Sequence, residues 1–269
     1  MTAPAGATAD TTTTTATTDT ATATARAAAP APAPPAVLDH PGWVAHFTAE
    51  AHRRSRRADP DTSRGATADP ALWRSLQRFQ VGEDGDGTQL IAKAEAFGDP
   101  AYTAALRLFV AEEQNHARLL ARLLDAGGVP LLGSHWSDAL FVRFRRLLGL
   151  RLELMVLLVA EVVAVRYYRA VRDGARDPLI AETAGLVLAD EVRHVPFHCC
   201  RLRESLAALP RPLRAPAATG WRLLAVAAGG FVALDHGPAL RLLGVGRLRF
   251  LLDGAALAGQ VARELRTTP

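Results

Sequence analysis

The chain has 269 residues, 49% hydrophobic and 22% charged, which suffices for one large domain with a buried core plus appendages. The formal net charge of +4 is carried by scattered arginines, with Arg53, Arg54, Arg56 and Arg57 the nearest to a cluster, a pattern of surface solubility that argues against a nucleic-acid partner. Adjacent Cys199 and Cys200 offer no disulfide framework and no zinc site, no signal-type apolar core opens the chain, and no uninterrupted apolar run reaches the roughly 20 residues a bilayer-spanning helix needs, so a soluble, cytoplasmic protein is expected.

Residues 1–36 are almost wholly Thr, Ala and Pro, with nothing bulky to bury, and should form a disordered tail. Residues 37–70 form a lead-in and linker: His40, Trp43, Val44, Phe47 and His52 suit a short docking helix, and Pro60, Gly65 and Pro70 punctuate the stretch after it. From residue 71 the pattern is helical, with Leu72, Leu76, Phe79 and Glu83 on one face. The Gly-rich run from Gly82 to Gly87 predicts a kink or break before helical pattern resumes over 86–98. Asp99 and Pro100 are a cap and a first-turn proline. The apolar stripe Leu106, Phe109, Val110, Ala117, Leu120 then runs to Gly127 and Gly128. After a loop over 127–136, Ser137 caps a long helical stretch, 138–173, with Gly149 as a point of division. Asp177-Pro178 opens another helix that ends before Pro210, and two apolar helical segments come next, about 219–235 and 238–265. No alternating strand pattern occurs, so the fold class is all-α. Residues 71–209 form the main bundle. Residues 210–269 form a C-terminal extension packing on it, as a cover or as a homodimer surface.

Two Glu-x-x-His motifs lie inside apolar helices: Glu113 with His116, and Glu191 with His194. Residues three apart share a helix face. The neighbours on these faces are apolar, so the pairs point into the core, where carboxylates must be paired, protonated or metal-bound. Glu161 is a third buried acid and Glu83 a fourth, with Glu95 as a rival to Glu83. Spacing ties them together. A shift of 78 residues carries Glu83 onto Glu161, Asp99-Pro100 onto Asp177-Pro178, Glu112 onto Asp190, Glu113 onto Glu191 and His116 onto His194. This register reads as a duplicated helix pair. Each lone acid lies 16 residues before its Asp-Pro turn and each motif glutamate 14 after the Asp, so in antiparallel helices they meet at one height. Four carboxylates with one imidazole per metal suit two iron ions, or manganese, or a mixed manganese–iron pair, better than zinc.

This ligand pattern resembles the ferritin-like superfamily, the di-iron carboxylate four-helix-bundle proteins, over residues 71–209. The resemblance implies a ferritin-like four-helix bundle with extra C-terminal helices. It implies metal ligands Glu83, Glu113, His116, Glu161, Glu191 and His194, with Glu113 and Glu191 bridging and Glu83 and Glu161 terminal. It also implies that Glu112 and Asp190 hold the histidine of the opposite helix. His198, one turn beyond His194, and Tyr168, two turns beyond Glu161, are expected beside the ligands. Asp235 and His236 read as a cap and a turn. The resemblance further implies an oxidoreductase using O2 or peroxide, with a small organic substrate among the options. No rubredoxin-like Cys-x-x-Cys pair is present, so such an enzyme needs an external electron donor. The alternatives are a metal-free helical bundle that acts as an interaction module, its buried acids paired with arginines such as Arg166 or Arg193, and a membrane-surface di-iron oxidase.

Overall fold

The computed structural model describes residues 1–2, 38–133 and 149–267, and among these the regular structure is entirely helical. The readings of a disordered tail and of a helix capped by Ser137 fall outside the described residues. The described helices, in chain order, are α1 His40–Ser55, α2 Pro70–Glu83, α3 Thr88–Phe97, α4 Pro100–Ala126, α5 Leu150–Gly174, α6 Pro178–Ala207, α7 Arg211–Asp235, α8 Gly237–Leu242 and α9 Arg247–Glu264. All lie within Ala33–Pro269, one compact unit.

Helix starts repeat one solution. Asp39, Asp69, Asp99 and Asp177 each stand in extended backbone before a helix with proline in its first turn, and each side chain accepts from a backbone N–H of that turn. Asp177 also accepts from Thr67 N at 2.8 Å, which ties the linker to the start of α6. Asp99 faces His40 Nδ1 at 2.7 Å, which ties α1 to the start of α4.

The Gly-rich run produces a break. α2 ends at Glu83 and α3 begins at Thr88. Gly87 has φ +64°, and a Cβ there would stand 2.6 Å from Val110 Cγ1, so only glycine lets the loop pass this close to α4. The first half of the duplication therefore uses two helices, α2 and α3, where the second uses the single α5.

α5 and α6 pack along one another, α4 packs on α2 and α6, and α1 lies on α4. Trp43 and Phe47 of α1 are fully buried and meet the Phe197 ring edge-on at 5.5 and 5.1 Å. The only lysine, Lys93 on α3, reaches the buried Glu153 of α5 at 2.5 Å.

The C-terminal segments depart from the expected bounds. α7 starts at Arg211 and carries Pro216 close to its start, and the stretch expected as 238–265 is divided at Leu243–Gly246, where Gly244 has φ +73°. α7 buries one narrow stripe, Ala218, Trp221, Ala225, Gly229 and Ala233, against α5 and α9. Its 25 residues have the length and apolar composition of a membrane-crossing helix, longer than the sequence reading allowed, although that test also admits helices packed on protein. Leu223, Leu234, Leu248 and Leu252 on α7 and α9 stay exposed.

Candidate metal centre

Four helices supply the acid cluster. Glu83 is the last residue of α2; Glu113 and His116 lie midway along α4, Glu161 midway along α5, and Glu191 with His194 midway along α6. Each lies on or, for the partly exposed Glu113, at the edge of the buried stripe of an amphipathic helix, so the packing that hides Leu106, Leu120, Leu158 and Val187 also carries the acids inward. Two groups of ligand-type atoms result, each with all atoms within 4.8 Å of one another: Glu83, Glu113, His116 and Glu191 in one, Glu113, Glu161, Glu191 and His194 in the other. Glu113 and Glu191 belong to both groups; Glu83 and Glu161 belong to one each.

The distances repeat across the two groups. His116 Nδ1 lies 3.3 Å from Glu191 Oε1, 3.5 Å from Glu113 Oε1 and 3.9 Å from Glu83 Oε2. His194 Nδ1 lies 3.0 Å from Glu113 Oε1, 3.4 Å from Glu161 Oε2 and 3.9 Å from Glu191 Oε2. The two rings are 5.6 Å apart. None of these approaches is aligned as a hydrogen bond: Glu113 Oε1, Glu161 Oε2, both Glu191 oxygens and both Nδ1 atoms are buried without a hydrogen-bonding partner.

The other face of each imidazole is held across the bundle. His194 Nε2 on α6 pairs with Glu112 Oε2 on α4 at 3.1 Å, and His116 Nε2 on α4 pairs with Asp190 Oδ2 on α6 at 3.1 Å. A carboxylate can only accept, so Nε2 donates to it and Nδ1 is left facing the glutamates, where it offers a lone pair to a cation whenever the ring is neutral. Arginines cap these outer acids. Arg54 Nη1 of α1 donates to Glu112 Oε1 at 2.9 Å and stands 3.7 Å from Asp190 Oδ2. Arg193 pairs with Asp190, and its Nη2 lies 3.9 Å from Glu112 Oε2 and 3.8 Å from Glu50 Oε2.

The remaining residues expected at the site take distinct places. Tyr168 is fully buried and donates from its hydroxyl to Glu83 Oε1 at 2.6 Å. His198 is buried with Nε2 3.7 Å from Glu161 Oε1, edge-on to Phe109. Glu95 lies on the surface paired with Arg107, so Glu83 and not Glu95 joins the cluster. Arg166 pairs with Asp253 at 3.1 Å and Arg193 with the outer acids, so neither arginine neutralises the inner glutamates. Cys199 and Cys200 are free thiols, the first buried. Asp235 and His236 do end α7 and turn the chain, but they also line a cavity that reaches the cluster. Spacing could not reveal Arg54 and Glu50, which come from a separate helix; Arg193 carried a signal in its i,i+3 position after Asp190.

Electrostatics make the cluster costly without cations. Burial and the neighbouring carboxylate of Glu113 raise Glu83 to about 7. Burial and the adjacent acids push Glu191 well above the usual carboxylate range, and burial beside Glu113 raises Glu161. Burial would raise Glu113 too, but the His194 and His116 rings outweigh it and hold its pKa well down. Burial opposes charge on both imidazoles, yet the surrounding carboxylates raise both well above the ordinary histidine range. Asp190 is lowered: burial is overcome by His116 and Arg193. Protons therefore have to stand in wherever cations do not.

A further group, His40, Cys200 and Glu204, lies at the junction of α1 and α6. Its Glu204 is half-exposed, and His40 already pairs with Asp99. Comparisons of the chain with protein-family models, with curated proteins and with solved structures find no significant match.

Proposed function

We propose that the chain is a ferritin-like protein whose six inner ligands hold two iron ions, or manganese in one or both positions, and that it works as an oxidoreductase on O2 or peroxide with electrons from an external donor. The observation that carries this reading is the convergence of ligand-type atoms from four helices, those of Glu113, His116, Glu161, Glu191 and His194 buried without a hydrogen-bonding partner. The donor set fits the group. Four carboxylates balance two divalent cations, and neutral imidazoles presented through Nδ1 complete an oxygen-rich set of the kind iron and manganese prefer. In this reading Glu113 and Glu191, which belong to both groups, would serve both ions, and Glu83 with His116 and Glu161 with His194 would each serve one.

A bound pair of iron ions would supply the redox equivalents. The chain supplies the rest. Glu112 and Asp190 fix tautomer and ring orientation of the two histidines, and Arg54 and Arg193 hold those acids in place. Phe47, Phe109 and Phe197 pack around the histidine side and keep water from it. Tyr168 holds Glu83 at the exposed end of α2.

Metal analysis of protein produced with iron tests the reading. About two metal ions per chain are expected, with loss on the double change Glu113→Ala and Glu191→Ala, and with oxo-bridged ferric bands in the optical spectrum after exposure to air. A folded chain that takes up no transition metal would leave the interaction-module reading instead. A location at a membrane surface draws support from the exposed leucines of α7 and α9, and flotation with lipid vesicles distinguishes it from a cytoplasmic one.

A further inference from the structure

A cavity of about 380 Å3, within the size range of small-molecule sites, lies between α2, α5 and α7. Its floor is the acid cluster: Glu83, Glu113, Glu161 and Glu191 all reach it, and neither His116 nor His194 does. It therefore approaches the cluster from the side opposite the imidazoles. Above the floor its walls are mostly carbon, from Phe79 on α2, Leu157 and Ala164 on α5, and Ala228, Phe231 and Val232 on α7. The exposed Gly82, Phe231 and Asp235 mark its mouth.

One of the three walls belongs to the C-terminal extension, which the duplicated helix pairs do not include. That wall is fixed firmly. Trp221 Nε1 donates to Met155 O at 2.9 Å, and Ser75 Oγ joins Tyr167 and His236 Nδ1, each at 2.7 Å. Phe79 is stacked on Tyr167 at 3.5 Å.

We propose that α7 and the helices α2 and α5 form a pocket for an uncharged, apolar organic substrate of the acid cluster. The proposal rests on the di-metal reading for the word substrate, but not for binding. Charge selects the class. The cation at the mouth, Arg78, is already paired with Asp235 at 2.5 Å, so an anionic head would have to displace a carboxylate. In the chelated chain an anion carried to the floor would meet the carboxyl groups of four more acids. A passage for iron ions would offer oxygen ligands along its length, and these walls offer carbon.

Calorimetric titration of the full chain, with iron bound and after chelation, tests this with octan-1-ol as probe and octanoate as its charged counterpart. Octan-1-ol is expected to bind saturably at about one per chain in both forms, with octanoate about tenfold weaker or more in the chelated form. Ala228→Trp, which fills the α7 wall, is expected to weaken octan-1-ol about tenfold or more while metal content stays at the native value. If that variant melts early, the smaller Ala228→Leu carries the comparison. Leu248→Ser, on the exposed face of α9, should leave binding unchanged. Absence of saturable binding, equal affinity for octanoate after chelation, native affinity in both Ala228 variants, or loss in Leu248→Ser would each overturn the pocket. Octan-1-ol binding by a chain that takes up no metal would remove the metal reading and leave the pocket; metal uptake without octan-1-ol binding would remove the pocket alone.

Discussion

Glu112 on α4 and His194 on α6 are joined across the bundle by a 3.1 Å hydrogen bond, both side chains fully buried. The contact crosses the duplication: each half supplies the acid that orients the other half's histidine. Changing Glu112 to Gln keeps an oxygen for Nε2–H but removes the charge that makes the imidazole a strong donor. It also sets an amide N–H2 near Arg54 and Arg193. Metal affinity in chelator competition should fall by about 10–100-fold, and Asp190→Asn should do the same at the other histidine. Unchanged affinity in both variants would reduce the crossed acids to packing groups.

The metal-free protein should lose stability as pH rises. Glu83 is raised from 4.5 to about 7, so between those values the unfolded chain releases a proton that the folded chain keeps. The unfolded state then binds fewer protons, and the free energy of unfolding falls with pH. Glu161 and Glu191 act in the same direction. His116 and His194 extend the loss to higher pH, because their contribution is present below the ordinary histidine value and fades as pH passes their raised ones. Glu113, lowered, acts oppositely but only below the carboxylate range. Thermal melts of chelator-treated protein should therefore drop from pH 5 toward pH 8, about the window of these shifts. The iron-loaded protein should hold its melting temperature, since metal replaces the protons at issue. A metal-free melting temperature that rises over this window would contradict the assignment of these acids as buried and mutually repelling.

The residues of the acid cluster could be picked out because their spacing keeps one register: a single offset of 78 relates three acids, a histidine and a capped turn, and chance seldom repeats that. The break after Glu83 was legible from its glycines, and the all-α class from the apolar period. What stayed hidden depends on elements without a repeat. Arg54 reaches Glu112 only because α1 docks through Trp43 and Phe47, and neither residue encodes the angle of that docking. The cavity requires α7 to lie against both α2 and α5, a tertiary arrangement that the sequence of α7, apolar on most of its surface, does not single out. Likewise Asp235 and His236 look like a helix end in sequence, and their partners Arg78 and Ser75 lie far away in the chain.

Among the described residues, Tyr168 is the hydroxyl that donates to an inner glutamate. Removing it with Tyr168→Phe leaves Glu83 Oε1 without that donor in a buried site, which should cost roughly 1–3 kcal/mol in urea unfolding of the metal-free chain. Metal stoichiometry should persist, with weaker binding in the position that Glu83 completes, because the carboxylate itself remains. A stability change within error would mean that Glu83 finds another donor on relaxation.

Gly87 sets the position of Glu83 by letting the loop after α2 lie on Val110. Gly87→Ala places a non-glycine residue at φ +64° and a methyl 2.6 Å from Val110 Cγ1. The left-handed backbone alone should cost roughly 1–2 kcal/mol, and the collision adds to it. Only the collision can be relieved from α4. Val110→Ala removes both Cγ atoms, so the double variant should be more stable than the sum of the two single changes, by about 0.5–3 kcal/mol in a double-mutant cycle. Iron uptake should track the same cycle, because Val110 lies one turn before Glu113 and the loop begins directly after Glu83. Strict additivity in both readouts would show that the loop does not bear on α4, and that Glu83 is held by Tyr168 without help from the glycine turn.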